Sequence, residues 1–482
     1  MSEEFAKADA TTQAQWVRNG EVSPLELVDA AIARIEDHNP KLNAVIHPAF
    51  ERARERATGS LPDGPFRGVP FLMKDLGGEE AGAPYHMGMR CLKEAGWTES
   101  VDSFYTRRAR AAGLVSLGRT NTPEIGLYPV TEPEAYGPTR NPWNLDHSPG
   151  GSSGGSSAAV AAGLVPAAHA SDGGGSIRLP ASMAGLVGLK PSRGRVSFGP
   201  GGGERWAGLS AQFCVTRSVR DAAGLLDVFA GYEVGDPYTA PAGPPSYAGV
   251  LGSDPGKLRV GLLPAATGDL ETHPDCTLAA ETAGRLLEGL GHTVELAHPA
   301  ALDDRSYVIH FVNIVSIAAA HLLDVWSERL GRPLTEEDVE PLTWALAQRG
   351  GQQRAADYIG SVDGLHAFGR ELAGWWHGGF DLLVTPSQAQ PPPKIGFLRS
   401  TREDPLEGFT RSAPYGVFTM PFNMSGQPAI SLPLTLGSEN PPALPVGSQL
   451  VAAAGREDLL LQVSAQLEEA APWAEKRPPI FG

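Results

Sequence analysis

The stretch GGSSGGSSAAVAAGLVPAAHASDGGGSIR, from Gly150 to Arg178, decides how this sequence is interpreted. It holds eight glycines and six serines, but an apolar segment, AAVAAGLVPAAHA, interrupts them. Flexible linkers stay polar throughout, so this composition favours burial rather than a linker. The pattern predicts a helix over SSAAVAAG and a strand over LVPAAHASD, with a glycine- and serine-rich loop beside each.

The same order of helix and strand returns on both sides of this stretch. GVPFLMKDL (68–76) predicts a buried strand that delivers Lys74 at its edge. A capping box at Ser23 and Glu26 predicts a helix to about His38. Later apolar runs of strand length are LRVGLLP, HTVELAHP, FDLLVTP, PAISLPL and SQLVAAA. This alternation predicts an α/β fold with a largely parallel or mixed sheet covered by helices.

Bulk composition narrows the class of protein. The 482 residues, 41% of them hydrophobic, can bury one large core. A formal net charge of −16 argues against nucleic acid as a direct ligand, because phosphate binding needs clustered Lys and Arg. The acidic N-terminus lacks a signal-peptide run, and we find no uninterrupted apolar stretch of about 18 residues. We therefore predict a soluble cytoplasmic protein without a membrane partner.

The three cysteines are isolated. Cys91, Cys214 and Cys276 form no CxxC pair, which favours reduced core thiols over a disulfide framework or a zinc site. We predict no metal and no cofactor.

Local motifs leave three readings of the glycine–serine loops open. A phosphate cradle is disfavoured, because the stretch contains neither GxxxxGK[ST] nor GxGxxG. Residues 150–154 match GxSxG, the nucleophile elbow of α/β-hydrolases, but an elbow follows a strand and NPWNLDHSP predicts a loop. The serines can also simply cap a helix.

A second serine favours an active site. Ser176 directly follows Gly173, Gly174 and Gly175 at the end of a predicted strand, and glycines leave backbone N–H groups open for an oxyanion hole. Ser176 is therefore the better nucleophile than Ser152. Nearby His169 lies within a predicted strand and is expected to be a packed residue rather than a base.

Lys74 is the candidate base. Burial after VPFLM would lower its pKa and leave a neutral amine near neutral pH. The alternative is a solvated lysine at a strand end.

At this point the chain resembles the amidase signature hydrolases over nearly its whole length. The motifs that carry the resemblance are GVPFLMKD, GPTRNPWN, GGSSGGS, SDGGGSIRLPAS, GLVGLKPSRGRVS, TRSVRDAA, LLVTPS, MPFNMSGQPAISLP and GSQLVAAAGREDLLL. Within that family the segments TEPEAYG, NPWNL and GREDLLLQVSAQLE most resemble those of the 6-aminohexanoate cyclic dimer hydrolases.

The resemblance implies the amidase signature fold, a large twisted mixed β-sheet core covered by helices on both sides. It implies a single domain over residues 1–482, with a signature core at about 66–225 and a variable substrate-pocket region at about 230–420.

The resemblance also implies roles for individual residues. Ser176 becomes the nucleophile, Ser152 the bridging serine that follows a cis peptide, and Lys74 the base. The amides of Gly173, Gly174, Gly175 and Ser176 would hold the oxyanion.

Three neighbours of these residues are candidates for support. Asp172 and Arg178 are expected to form an ion pair that straddles the loop and holds Ser176 in place. Ser153 would orient Ser152 or Lys74, or would only cap a helix.

The substrate is the least determined feature. We expect the pocket walls to come from loops around Tyr136, from 205–213 and from Ser412–Asn423. Arg205 and Arg411 could bind a carboxylate or could be merely solvated. An apolar or aromatic amide is the expected substrate.

The predicted activity is therefore that of a serine hydrolase cleaving a small-molecule amide of the lactam-oligomer or aryl-acylamide type, with carbamates (a urethanase activity) and esters as further candidates. The alternatives are the A subunit of a glutamyl-tRNA(Gln) amidotransferase, an α/β-hydrolase esterase using Ser152, and a binding protein without catalysis. A homodimer is left open.

Overall fold

The computed structural model describes residues 2–438 and 443–482. The helices are α1 (Ser2–Lys7), α2 (Ala10–Asn19), α3 (Pro24–Leu42), α4 (Phe50–Thr58), α5 (Arg90–Glu94), α6 (Phe104–Ala111), α7 (Gly154–Ala161), α8 (Arg178–Ala184), α9 (Val219–Phe229), α10 (Pro274–Gly289), α11 (Val308–Leu330), α12 (Pro341–Gly351), α13 (Ala355–His377), α14 (Glu407–Arg411), α15 (Ala413–Gly416), α16 (Met420–Met424) and α17 (Glu457–Ala470). Short 3-10 helices cover Glu124–Gly126, Ala248–Val250, Ala300–Leu302 and Arg305–Tyr307.

The strands are β1 (Val45–Pro48), β2 (Pro70–Lys74), β3 (Val115–Thr120), β4 (Ala167–Asp172), β5 (Val187–Lys190), β6 (Ala211–Thr216), β7 (Arg259–Leu262), β8 (Thr293–Leu296), β9 (Leu382–Pro386), β10 (Ala429–Leu436) and β11 (Pro445–Ala452). Within the described ranges they form one eleven-stranded sheet in the order β1-β3-β2-β4-β6-β5-β10-β11-β9-β7-β8.

The sheet is mixed, as predicted. Strand β2 runs parallel to both β3 and β4, and β7 runs parallel to β8 and β9. The pairs β4–β6, β5–β6, β5–β10, β10–β11 and β9–β11 are antiparallel. Helices flank this sheet and complete its hydrophobic core.

The stretch from Gly150 to Arg178 forms the predicted helix and strand. Helix α7 is buried at every residue, and β4 is buried at all but one position. Because β2 and β4 are parallel neighbours, Lys74 and Asp172 end their strands at the same edge of the sheet. The fold thus brings the two sequence regions of the candidate site together.

Helix α3 is longer than the sequence predicted. Ser23 and Glu26 form the expected capping box, but the helix continues past His38 to Leu42. Leu42 is fully buried, and the amide of Asn43, in left-handed conformation, closes the helix on Asn39 O at 2.7 Å. Burial of Leu42 and the cap at Asn43 therefore outweigh the disfavoured Pro40 in the last turn.

Helix α11 was not singled out in the sequence. In the part of the chain that the structure describes, the segment Arg305–Leu330 alone is long and apolar enough to cross a membrane by length and composition. It packs extensively against α12 and α13, and its Phe311 and Val315 line the cavity described below. The same test is passed by core helices of proteins that have no membrane span.

Candidate active site

Lys74 ends β2 with its side chain fully buried. The four preceding residues of the strand, PFLM, are buried between β3 and β4 and hold the backbone there. Lys74 Nζ donates to Ser152 Oγ at 2.7 Å and to Ser171 Oγ at 3.0 Å. The structure therefore joins Lys74 to Ser152, which lies 78 residues further along the chain.

Burial changes the acid–base behaviour of this lysine. Desolvation lowers the pKa of Lys74 to about 7, although the negative charge of Asp172 acts in the opposite direction. A large fraction of the amine is therefore neutral near neutral pH and able to accept a proton. The solvated-lysine alternative does not agree with this burial.

His169 is placed as a packed residue. Its Nδ1 accepts the backbone N–H of Lys74 at 3.3 Å, and its Nε2 faces Gln212 Oε1 at 3.3 Å. The first contact requires an unprotonated Nδ1, so Nε2 carries the proton and donates to Gln212. Burial, together with the neighbouring Lys74, lowers the pKa of His169 to about 3, so the ring is neutral.

Ser152 lies in a loop rather than at a strand end. The Gly151–Ser152 peptide bond is cis, and the side chain is almost fully buried. Residues 148–150 are irregular and 151–153 are bends, so the strand that a nucleophile elbow needs does not precede Ser152. A Cβ built on Gly126 would lie 3.3 Å from Ser152 Oγ, and Gly126 lines the cavity that also contains Ser176.

Ser176 occupies the short turn between β4 and α8 and lines that cavity. In residues 2–438 and 443–482 no direct hydrogen bond joins its Oγ to Ser152 Oγ. Catalytic hydrogen bonds often close only when substrate is bound. Ser176 thus lines the cavity, and Ser152 contacts Lys74 and lies beside the lining residue Gly126.

Asp172 organises the turn that carries Ser176. Its carboxylate accepts the amides of Gly175 at 2.7 Å and Ile177 at 3.1 Å. Arg178 donates to both carboxylate oxygens, with Nη2–Oδ1 at 2.9 Å and Nε–Oδ2 at 3.0 Å, and both side chains are fully buried. Burial alone would raise the pKa of Asp172, but the charge and hydrogen bonds of Arg178 outweigh it and hold the pKa well below its usual value. The expected ion pair is present.

The glycine loop contains fewer open amides than the sequence suggested. The amide of Gly175 is bound to Asp172, whereas those of Gly173, Gly174 and Ser176 have no protein acceptor among the described residues. Gly175 also has φ of 139°, a backbone conformation that glycine adopts more readily than other residues. Three amides therefore remain available to an oxyanion.

Ser153 is connected to Lys74 through hydrogen bonds of one intermediate residue, Ser171. It is the residue before α7, but its side chain does not cap the helix. Instead Ser153 Oγ donates to Ser171 O at 3.2 Å and accepts the amide of Ser171 at 3.3 Å. Sequence reasoning missed Ser171, because serine in a strand carries no distinguishing motif.

Further support comes from residues that sequence reasoning also missed. Arg178 Nη2 donates to Asn423 Oδ1 at 2.6 Å and its Nη1 to Gln449 Oε1 at 2.8 Å. Arg119 Nη2 donates to Lys74 O at 2.7 Å. These partners come from distant parts of the chain and could not be inferred from local pattern.

The cavity beside Ser176 measures about 1000 Å³ counted with its open mouth. Its walls are mostly apolar and aromatic, and the bulky apolar and aromatic residues that line it include Tyr128, Trp206, Tyr307, Phe311, Phe409 and Met420. Such walls suit an apolar or aromatic substrate body.

The predicted pocket is partly wrong. Trp206 lines the cavity, and so do five of the residues 412–420: Ser412, Ala413, Gly416, Val417 and Met420. Tyr136 does not line it, and its hydroxyl contacts the imidazoles of His86 and His47. Neither predicted arginine lines the cavity either. Arg205 pairs with Glu79 at 3.5 Å, and Arg411 pairs with Glu407 at 2.5 Å on its own helix, α14.

Comparison with known proteins agrees with this arrangement. Residues 26–461 match the Amidase family. The chain is 46% identical over 481 residues to the 6-aminohexanoate-cyclic-dimer hydrolase of Paenarthrobacter ureafaciens, covering 98% of this chain and 97% of the relative.

Solved structures show the same similarity. The structure of 6-aminohexanoate cyclic dimer hydrolase complexed with substrate has a TM-score of 0.96 at 46% identity and covers 99% of this chain and 100% of that one. A bacterial aryl acylamidase of the amidase signature family has a TM-score of 0.86 at 27% identity, with 97% of each chain covered. The chain therefore belongs to the amidase signature family and is a hydrolase that acts on amides.

Proposed function

We propose that this hydrolase cleaves amides through an acyl-enzyme on Ser176, with Ser152 as proton relay and Lys74 as base. The observation that carries the proposal is the buried contact of 2.7 Å between Lys74 Nζ and Ser152 Oγ, made by an amine whose pKa is about 7. A neutral amine in contact with a relay hydroxyl is the arrangement that general-base activation of a serine needs.

In the proposed reaction Ser176 Oγ attacks the carbonyl carbon. Its proton passes to Ser152, and the proton of Ser152 passes to Lys74. The open amides of Gly173, Gly174 and Ser176 support the oxyanion that forms. The relay then runs backwards, so the leaving nitrogen is protonated as the C–N bond breaks. Water repeats the cycle on the acyl-enzyme and releases the acid.

We propose a substrate of the 6-aminohexanoate oligomer or aryl-acylamide type. The apolar and aromatic walls of the cavity and the similarity to both kinds of hydrolase support this class. Carbamates and esters belong to the proposal as secondary substrates, because their carbonyls pass through a similar tetrahedral oxyanion. No cofactor or metal enters the proposed cycle.

A covalent label tests the roles of the residues. We expect a fluorophosphonate to label the wild-type chain and the variant Ser100→Ala, whose exposed serine is far from the site in sequence. Labelling should be lost in Ser176→Ala and slowed at least a hundredfold in Lys74→Ala. Intact labelling of Ser176→Ala together with loss in Ser152→Ala would instead support the esterase alternative.

A substrate panel tests the activity. It contains the cyclic dimer of 6-aminohexanoate, its linear oligomers, a series of anilides, and aryl carbamates. We expect release of amine from at least one amide class. Failure of the whole panel with a chain that still takes the covalent label would reject the proposed substrates while leaving the nucleophile assigned.

A further inference from the structure

The catalytic cavity has a single charged side chain on its wall within the described ranges, and it is Arg305. This residue starts the 3-10 helix Arg305–Tyr307 that leads into α11. The other lining residues are glycines or have apolar, aromatic or hydroxyl-bearing side chains, and none of these lining residues carries a carboxylate. The cavity therefore carries a net positive wall although the whole protein has a formal charge of −16.

The guanidinium of Arg305 makes no ion pair with the residues that the structure describes. One of its N–H groups, on Nη2, donates to the carbonyl of Thr267. Among the residues that the structure describes, no carboxylate oxygen lies within 4.0 Å of it. The adjacent Asp304 carboxylate accepts the amide and the hydroxyl of Ser306 at 2.8 and 2.9 Å and makes no hydrogen bond or ion pair with the guanidinium within the described ranges.

A half-buried cation beside apolar walls is costly unless an anion accompanies it. Arginine offers five N–H donors in a planar fork, and the geometry of that fork matches a carboxylate. Since Arg305 uses one donor on Thr267, the remaining donors are available to a ligand that enters the cavity. The cavity wall also carries hydroxyl groups, but none of them accepts a hydrogen bond from Arg305 within the described ranges.

We propose that Arg305 binds a carboxylate at the far end of the substrate, so that amides with an anionic tail are preferred over neutral amides of equal length. The inference rests on the proposed function, because it assigns one end of the same cavity. Linear 6-aminohexanoate oligomers carry such a carboxylate, and the cyclic dimer does not. Hydrolysis of the cyclic dimer breaks one C–N bond and creates a carboxylate, so its linear product should also occupy Arg305 and inhibit competitively.

Three amides of matched length test the proposal. N-hexylhexanamide is neutral, N-hexanoyl-6-aminohexanoate carries a carboxylate on the amine side, and N-hexyladipamate carries it on the acyl side. In Arg305→Gln we expect KM for one of the two carboxylate amides to rise about tenfold, because the variant loses the binding free energy of one charge-assisted hydrogen bond. We expect kcat for that amide to stay almost unchanged. KM for the neutral amide should change little, and Arg305→Lys should lie between. The carboxylate amide that responds shows which side of the scissile bond faces Arg305.

The control is Arg285→Gln, which removes one exposed arginine charge from α10 and should leave all three KM values unchanged. Equal rises of KM for neutral and carboxylate amides in Arg305→Gln would overturn the proposal.

A second measurement uses only the wild-type protein, so it does not depend on whether a variant folds. In the wild type, the KM advantage of the carboxylate amide should shrink as NaCl is raised, and a constant ratio would count against the proposal.

Failure of the proposed amide hydrolysis can be distinguished from failure of the carboxylate site. If the wild type cleaves none of the three amides, calorimetric titration with N-hexanoyl-6-aminohexanoate still measures binding. Binding about tenfold tighter to the wild type than to Arg305→Gln would support the carboxylate site even then. Equal affinity for the two proteins would overturn it.

Discussion

Lys74 shows how one residue can set the pH range of an enzyme. Its pKa is lowered to about 7, so the charged ammonium form, which cannot accept a proton, prevails only below about pH 7. We expect kcat/KM for an anilide to rise through pH 7 and to level off on the alkaline side. Rates measured from acid to alkaline pH check this. Lys41→Ala, at an exposed position, should keep the same profile, and a flat wild-type profile would exclude a lysine base.

Ser171 is a second residue-scale test. Its hydroxyl accepts from Lys74 Nζ at 3.0 Å, and removing it leaves the buried amine with one partner fewer. We expect Ser171→Ala to lower kcat/KM by up to about tenfold, since one hydrogen bond contributes about 0.5–1.5 kcal/mol. Ser171→Thr keeps the hydroxyl and should retain most of the activity. Steady-state kinetics decides this, and an unchanged Ser171→Ala would show that the contact is dispensable.

At the scale of elements, the turn between β4 and α8 depends on the buried pair Asp172–Arg178. Asp172→Ala leaves Arg178 as an uncompensated buried charge, and such a loss costs about 3–5 kcal/mol. Urea unfolding measures this as a lower midpoint. The exposed pair Arg285–Glu281 supplies the control, because Glu281→Ala should cost less than about 1 kcal/mol.

The same pair has a defined pH dependence. The pKa of Asp172 is lower in the folded chain than in the unfolded chain, so the pair contributes its full stability above about pH 4. That contribution declines as the pH falls towards the folded-state pKa. Equal acid sensitivity of the wild type and Asp172→Ala below pH 4 would contradict this assignment.

Gly175 tests the geometry of that turn. Its φ of 139° disfavours any side chain, and an added Cβ would lie 2.4 Å from Thr419 Oγ1. We expect Gly175→Ala to destabilise the fold by more than about 1 kcal/mol and to abolish labelling of Ser176. Gly201→Ala is the matched control, because its Cβ would meet no atom within 4 Å. Thermal unfolding of both variants compares them directly.

At the scale of the whole molecule, the open question is whether the chain works alone. An amidotransferase A subunit acts only with partner chains, whereas a free hydrolase needs none. We expect the purified chain to hydrolyse amides by itself, and light scattering on the active sample would give its oligomeric state. Activity that appears only after addition of partner chains would favour the amidotransferase alternative. The single-domain organisation and the cytoplasmic location also remain predictions.

The sequence by itself determined the α/β class, the helix and strand between the two serine loops, and Lys74 at the end of a buried strand. Those features depend on local signals: apolar runs, capping residues and glycine next to serine. The family resemblance then made Lys74, Ser152 and Ser176 one candidate site, and family membership is confirmed.

Only the tertiary structure decided which side chains meet across distant segments. Ser171 contacts Lys74 because β2 and β4 are parallel neighbours, and Arg305 reaches the cavity through the start of α11. Tyr136 is excluded from the cavity by its histidine contacts. The pKa of Lys74 likewise depends on burial by the assembled fold. Contacts and burial of this kind depend on packing between elements that are remote in sequence, so the local sequence pattern does not predict them.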